Sequence, residues 1–327
     1  MKDRYIRQAH VFGFDGQELL KNTKVLIIGA GGLGTLVSNY LVAAGVLQIT
    51  IIDNDVIEIT NLTRQICYYE NDCGVNKVIT LKRHLQALNS EANIKALDII
   101  LDKTNVDGII STHDVIIDCS GNFTAKYLIS DTANSYQKPL IIASIDGFLG
   151  QVLVLNSELC YRCIFPEAST SKSCFDGDVI GSSVGIIASY QANEALKLIT
   201  KINTQSKLIQ IDCLNNTTTQ YNLSADMDCI NNHSLELDTN NQPQCLTMLE
   251  AIKLIGTHGL KILDMRKNTL NHSGFESIPF NLSMITKLDY KKEQPLAVLC
   301  SYGYRSKLAA MKLIAIGYEN VYYIEQS

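Results

Sequence analysis

The run Gly29-Ala30-Gly31-Gly32-Leu33-Gly34 closes an apolar segment and opens a helical one. Glycines at this spacing permit a tight turn and let phosphate oxygens approach the N–H groups at a helix start. Asp53 ends the next apolar segment, where a carboxylate can hold ribose hydroxyls. These residues alone suit a nicotinamide or flavin oxidoreductase as well as any other nucleotide-binding protein. The polar residues after Asp53 separate the readings. Asp55 stands beside Asp53, then come Asn61, Arg64 and Gln65, and further on Lys77. Taken singly, Arg64 or Lys77 reads as an ordinary surface cation. Behind a glycine loop they read as groups that neutralise charge at a transferring phosphorus, which a hydride-transfer dinucleotide does not require.

The thiols form a second set. Cys160 and Cys163 are spaced C-x-x-C, half of a tetrahedral zinc site. Cys174 precedes a long helical stretch, a position that lowers a thiol pKa. Cys300 ends the apolar run Pro295–Cys300, with Gly303 and Arg305 close behind it and a helical stretch after them.

Bulk properties limit what these residues serve. With 327 residues and 46% hydrophobic composition, the chain can bury a sizeable core and more than one domain. A net charge of −5 argues against nucleic acid and anionic membrane as partners. No run of about 18 apolar residues predicts a membrane span. The start, MKDRYIRQAH, lacks the apolar core of a signal peptide. Ten cysteines without such a signal imply thiol or metal chemistry in a reducing cytoplasm.

The elements that position these residues are legible as alternation. Strands are expected at 24–29, 48–53, 114–120, 139–144, 207–212 and 217–223, with helices at 32–45, 76–89 and 181–200. That order predicts an α/β fold with a parallel sheet and right-handed crossovers. Residues 231–244, rich in Asn and Gln, read as a linker. Beyond it, helices at 246–255 and 305–316 and strands at 261–266, 296–300 and 321–324 predict a small second α/β domain.

Here the sequence resembles a known family. RYIRQ (4–8), GAGGLG, DND (53–55), NLTRQ (61–65), GVNK (74–77), DCSGN (118–122) and CYRC (160–163) occur in the order seen in ThiF/MoeB-type (HesA/MoeB/ThiF) enzymes, relatives of the ubiquitin-activating enzymes. The resemblance covers residues 1–235 and implies a Rossmann-like doubly wound, mostly parallel sheet. It implies adenylation by ATP of the C-terminal glycine of a ubiquitin-like sulfur carrier (ThiS/MoaD type) ending in Gly-Gly. The loop around Gly29, Gly31, Gly32 and Gly34 would cradle the nucleotide, and Asp53 would hold the ribose. Asn61, Arg64, Gln65 and Lys77 would contact phosphates, with Asp118 and Asn122 nearby. Asp55 and Asp118 would shape a Mg2+ region. Arg7 would reach into the neighbouring subunit, which requires a homodimer. Cys174 lies where some members carry a thioester-forming or acyl-disulfide-forming cysteine.

Two departures stand out. The family's second C-x-x-C is expected near Cys229, but Asn232 replaces its partner, and His233 is the available substitute for a Zn2+ ligand. The family reads DCTDN where this chain has Asp118-Cys119-Ser120-Gly121-Asn122, so Gly121 replaces an acid that ligates magnesium in relatives.

After a linker at 236–244, residues 245–327 resemble a rhodanese-like domain. CSYGYRS (300–306) matches its C-x-x-G-x-R loop, and LDMR (263–266) its LDVR-like segment. The resemblance implies that the loop's N–H groups and Arg305 stabilise a persulfide on Cys300, loaded by thiosulfate or a cysteine desulfurase. The middle of this domain keeps only fragments of the usual pattern, and the customary Gly-Gly and Trp tail is lacking. Together the two resemblances imply a cytoplasmic adenylyltransferase and sulfurtransferase making a carrier thiocarboxylate for thiamine or molybdopterin biosynthesis or for tRNA thiolation. A homologue that binds a carrier without activating it is the alternative.

Overall fold

The computed structural model describes residues 3–157, 159–165, 179–223, 243–265, 277–280, 288–299, 306, 309–310, 313–314 and 316–324. The chain forms two compact units, Met1–Asn231 and Asn232–Ser327.

In the first unit, α1 (Ile6–Asn22) leads into β1 (Lys24–Ile28), α2 (Gly32–Ala44) and β2 (Gln48–Ile52). Next come α3 (Lys77–Leu88), β3 (Asn93–Leu97), α4 (Val106–Ile110), β4 (Val115–Asp118), α5 (Phe123–Ser135) and β5 (Leu140–Asp146). The rest comprises β6 (Leu149–Leu155), α6 (Tyr161–Ile164), α7 (Gly181–Ile199), β7 (Lys207–Asp212) and β8 (Thr217–Asn222). The eight strands lie in the order β3-β2-β1-β4-β5-β6-β7-β8. From β3 to β5 the pairing is parallel, and from β5 to β8 it is antiparallel. A hairpin carries the chain from β5 to β6, so the sheet is mostly parallel, as expected, with an antiparallel extension from β5 to β8.

The central strands are apolar because both faces are covered: Val25, Leu26, Ile27, Ile116 and Ile117 are all buried. Helix α2 packs Leu33, Val37 and Leu41 into the same core that receives Val184, Ile187 and Ala188 of α7. Asn76 caps α3, its Oδ1 accepting from the Ile79 N–H at 3.2 Å, and Asn122 caps α5, accepting from Thr124 N–H at 2.8 Å.

Strand order reverses between β1 and β4, which leave for opposite directions around the sheet. Ligands of open α/β sheets bind outside the carboxyl ends of strands at such a point. The loops there are Gly29–Gly31 after β1 and Cys119–Asn122 after β4.

The second unit holds β9 (Gln244–Leu246), α8 (Met248–His258), β10 (Lys261–Asp264), β11 (Ser277–Pro279), β12 (Leu296–Leu299) and β13 (Val321–Ile324). Its strands form an all-parallel sheet in the order β11-β10-β12-β13-β9. Two expectations are corrected. Gln244 belongs to a strand paired with β13, so the linker ends before it, and Leu246 is in that strand rather than in a helix. The helix begins at Met248 because Thr247 and Glu250 form a reciprocal capping box. In the expected 305–316 helix, Ser306, Ala309, Ala310, Leu313 and Ile314 are helical. Among the described residues, no helix is long and apolar enough to cross a membrane.

Candidate functional site at the strand-order switch

Gly29 leaves β1 with φ of 100°, a region closed to most side chains, and an added Cβ would meet the Cys119 carbonyl oxygen at 2.8 Å. The first turn of α2 folds back as closely: a Cβ on Gly34 would lie 1.9 Å from the Gly29 carbonyl oxygen. The loop is therefore built around its glycines, with the start of α2 opening from Gly31.

Asp53 is fixed from both sides. Its Oδ2 accepts from the Ala30 N–H at 2.7 Å, and its Oδ1 accepts from the Asp55 N–H at 2.8 Å. One carboxylate thus ties the glycine loop to the segment after β2. Asp55 then pairs with Lys77, Nζ to Oδ2 at 2.8 Å, while the Lys77 N–H donates to the Asp55 carbonyl at 2.9 Å. The lysine side chain is 7% exposed and the aspartate 63%, so a buried cation is presented at an open acid.

A short 3-10 helix, Ile59–Thr63, orients the next three residues. The Asn61 carbonyl accepts from the N–H groups of both Arg64 and Gln65, and its side-chain Oδ1 accepts from the Glu58 N–H. Gln65 is buried, its Nε2 lies near Gly31, and its Oε1 has no hydrogen-bond partner among the described residues. An orphaned acceptor beside a phosphate-type loop fits a bound polar group there. Arg64 is half-buried on the same turn.

Three contributors had no signal in the sequence pattern. Tyr68 donates its hydroxyl to the Ala30 carbonyl at 2.9 Å and lies 3.2 Å from the Lys77 carbonyl, joining the loop to the cation. Burial raises its pKa far above the ordinary tyrosine value, so it stays a donor. Gln191 of α7 donates to the Asp118 and Ile141 carbonyls, at 2.9 and 3.2 Å, clamping β4 to β5. Lys126 is the third.

Asp118 does not reach the crevice. Its side chain is fully buried, accepting from Lys126 Nζ at 3.2 Å and from the Ser120 N–H at 2.8 Å. The same ammonium donates to the Ser120 carbonyl at 2.8 Å. Asp118 thus holds up the loop and is not an open magnesium ligand, because a buried cation on the next helix consumes it. Asn122 is exposed, but its Oδ1 is spent as the α5 cap. Gly121 is exposed, and a Cβ there would meet nothing within 4 Å. The described residues therefore leave Asp55 as the one open carboxylate for the expected magnesium and do not build a metal cage.

Cys160 and Cys163 converge, with sulfurs 3.0 Å apart and the Cys160 N–H donating to Cys163 Sγ. Burial pushes the Cys160 thiol up. Tyr127, Tyr161 and Phe165 wall the turn, and Arg162 grips Asp131 through paired bonds of 2.9–3.0 Å. Cys163 is disulfide-bonded, which takes up one of the two thiols expected to bind zinc; the other expected donors, Cys229 and His233, lie outside the described residues, as do Cys174, Cys300 and Arg305. Arg7 is exposed on the first turn of α1.

Fold and crevice define a doubly wound α/β protein with a glycine loop, a fixed acid and two cations at its switch point. The chain belongs to the ThiF family, whose model matches residues 4–231. It is 39% identical over 209 residues to a sulfur carrier protein adenylyltransferase of Thermus thermophilus, covering 60% of this chain and 77% of that one. It is 41% identical over 202 residues to the adenylyltransferase and sulfurtransferase MOCS3 of Xenopus laevis, spanning 60% of this chain but only 45% of the relative. Among solved structures, E. coli MccB crystallised with ATP superposes with a TM-score of 0.62 at 26% identity, over 70% of this chain and 74% of that one. The same protein with AMPCPP and MccA gives 0.63 at 25% identity, over 70% and 73%.

Proposed function

We propose that residues 1–235 adenylate the C-terminal glycine of a ubiquitin-like sulfur carrier with ATP. The observation that carries this reading is the arrangement in which Asp53 ties the glycine loop to the Asp55–Lys77 pair, with Arg64 and Gln65 beside it. A carboxylate is a poor electrophile. Its oxygen attacks the α-phosphorus, the bond to the β-phosphate breaks, and pyrophosphate leaves, giving an acyl-adenylate. Little covalent chemistry is asked of the protein: it aligns the two anions and screens their repulsion. Lys77 and Arg64 supply the screening, and Asp53 holds the ribose. Magnesium arrives with the triphosphate as part of the substrate.

Sulfur transfer completes the proposed reaction. Arg7 completes the site of a neighbouring copy in a homodimer. Residues 245–327 act as a rhodanese-like domain in which Cys300 receives sulfur from thiosulfate or a desulfurase persulfide. The persulfide's terminal sulfur displaces AMP from the acyl carbon, and a thiol, for which Cys174 is the candidate, cleaves the resulting acyl disulfide to free the thiocarboxylate. The names of the relatives from Thermus thermophilus and Xenopus laevis support the carrier as substrate, and the cytoplasm suits a chemistry of free thiols.

Gly121 and the buried Asp118 favour one alternative, a carrier-binding homologue that does not activate its partner. Mass spectrometry of a Gly-Gly carrier incubated with ATP and thiosulfate separates the two. An adenylate is expected with Cys300→Ala and a thiocarboxylate with the unaltered chain. An unmodified carrier in both cases favours the alternative.

A further inference from the structure

Two helix starts meet at the backbone of Arg64, and each carries a glycine at the point of contact. A Cβ on Gly181, the first residue of α7, would lie 2.3 Å from the Thr63 carbonyl oxygen and 3.3 Å from Arg64 Cα. On the other side, a Cβ on Gly32, the first residue of α2, would lie 3.2 Å from the Arg64 carbonyl oxygen and 2.9 Å from Val184 Cγ1. The Thr63–Arg64 backbone is thus held between the first turns of α2 and α7, tightly on the Gly32 side and, on the Gly181 side, at a separation that leaves no room for a Cβ. Gly185, one turn further along α7, meets nothing within 4 Å, so the helix does not require glycine in general.

We infer that Gly181 is a positioning residue for Arg64: its bare backbone lets α7 seat the arginine turn against the glycine loop. This rests on the reading that the crevice binds ATP. The clash partner at Gly181 is backbone rather than a flexible side chain. An added methyl must therefore move either the start of α7 or the turn that carries Arg64 and Gln65. Because α7 is anchored in the core through Val184, Ile187 and Ala188, the arginine turn is the part that yields.

The test is ATP binding to the full chain by isothermal titration calorimetry, run beside thermal melts, in a double-mutant cycle with Arg64→Ala. Gly181→Ala should weaken ATP binding about tenfold in the unaltered background and by less than about twofold when Arg64 is already alanine. Gly185→Ala should stay within about twofold of the unaltered chain. Should Gly181→Ala fail to fold, Val184→Ile crowds the same junction by one methylene and should show the same non-additivity. Unchanged affinity in Gly181→Ala or, failing that variant, in Val184→Ile overturns the positioning role alone, as does full additivity with Arg64→Ala. An unaltered chain that binds no ATP overturns both this inference and the adenylation reading.

Discussion

Lys77 Nζ lies 2.8 Å from Asp55 Oδ2, and the same two residues are joined again through the Lys77 N–H and the Asp55 carbonyl. The double tether fixes a buried ammonium beside the exposed carboxylate of Asp55. A preorganised cation of this kind is worth about 3 kcal/mol to a transition state that gains charge near it. Lys77→Ala and Arg64→Ala should each slow adenylation by that amount, read as pyrophosphate exchange. Exchange within about threefold of the unaltered rate in both variants would remove them from the charge-screening role.

Gly121 stands where the family resemblance implies a magnesium-binding acid, and the space around it is open. Gly121→Asp should therefore be accommodated and lower the magnesium concentration needed for half-maximal exchange. A variant with the unaltered magnesium dependence would show that position 121 does not face the metal-bearing phosphates.

Lys126 and Asp118 form a buried pair beneath the loop that holds Gly121. Removing one partner leaves an uncompensated charge, at a cost of about 3–5 kcal/mol. Lys126→Met should lower the denaturation midpoint accordingly, and Lys126→Met with Asp118→Leu should recover much of the loss. A single variant as stable as the unaltered chain would mean that water reaches the carboxylate.

His113 gives a pH dependence with a defined sign. Its Nδ1 faces the Ile109 carbonyl at 2.7 Å and its Nε2 faces Thr50 Oγ1 at 2.7 Å, an arrangement that suits one neutral tautomer. Burial lowers its pKa below the ordinary histidine value. The unfolded chain therefore takes up a proton first, and stability falls as pH drops below about 6.5. The loss in melting temperature between neutral and mildly acidic pH should be smaller in His113→Gln than in the unaltered chain. An equal loss in both would assign the acid sensitivity elsewhere.

The glycine loop, Asp53, Arg64 and Lys77 were legible because their chemistry depends on residue type and spacing, which a sequence displays directly. The surroundings of Asp118 were not legible: an acid at a strand end looks exposed until a helix places Lys126 over it. The antiparallel extension of the sheet was hidden too, since the apolar run in β6 specifies burial but not direction. Tyr68 and Gln191 act through contacts with backbone carbonyls distant in sequence, and the close approach at Gly181 is a property of helix packing that no local pattern encodes.

The central claim is adenylation, and the most direct measurement is carrier-dependent exchange of labelled pyrophosphate into ATP. Exchange should require both this chain and a carrier ending in Gly-Gly, and should be lost when the carrier's last glycine is removed. No exchange at saturating magnesium with the carrier partner, appearing only after Gly121→Asp, would contradict it.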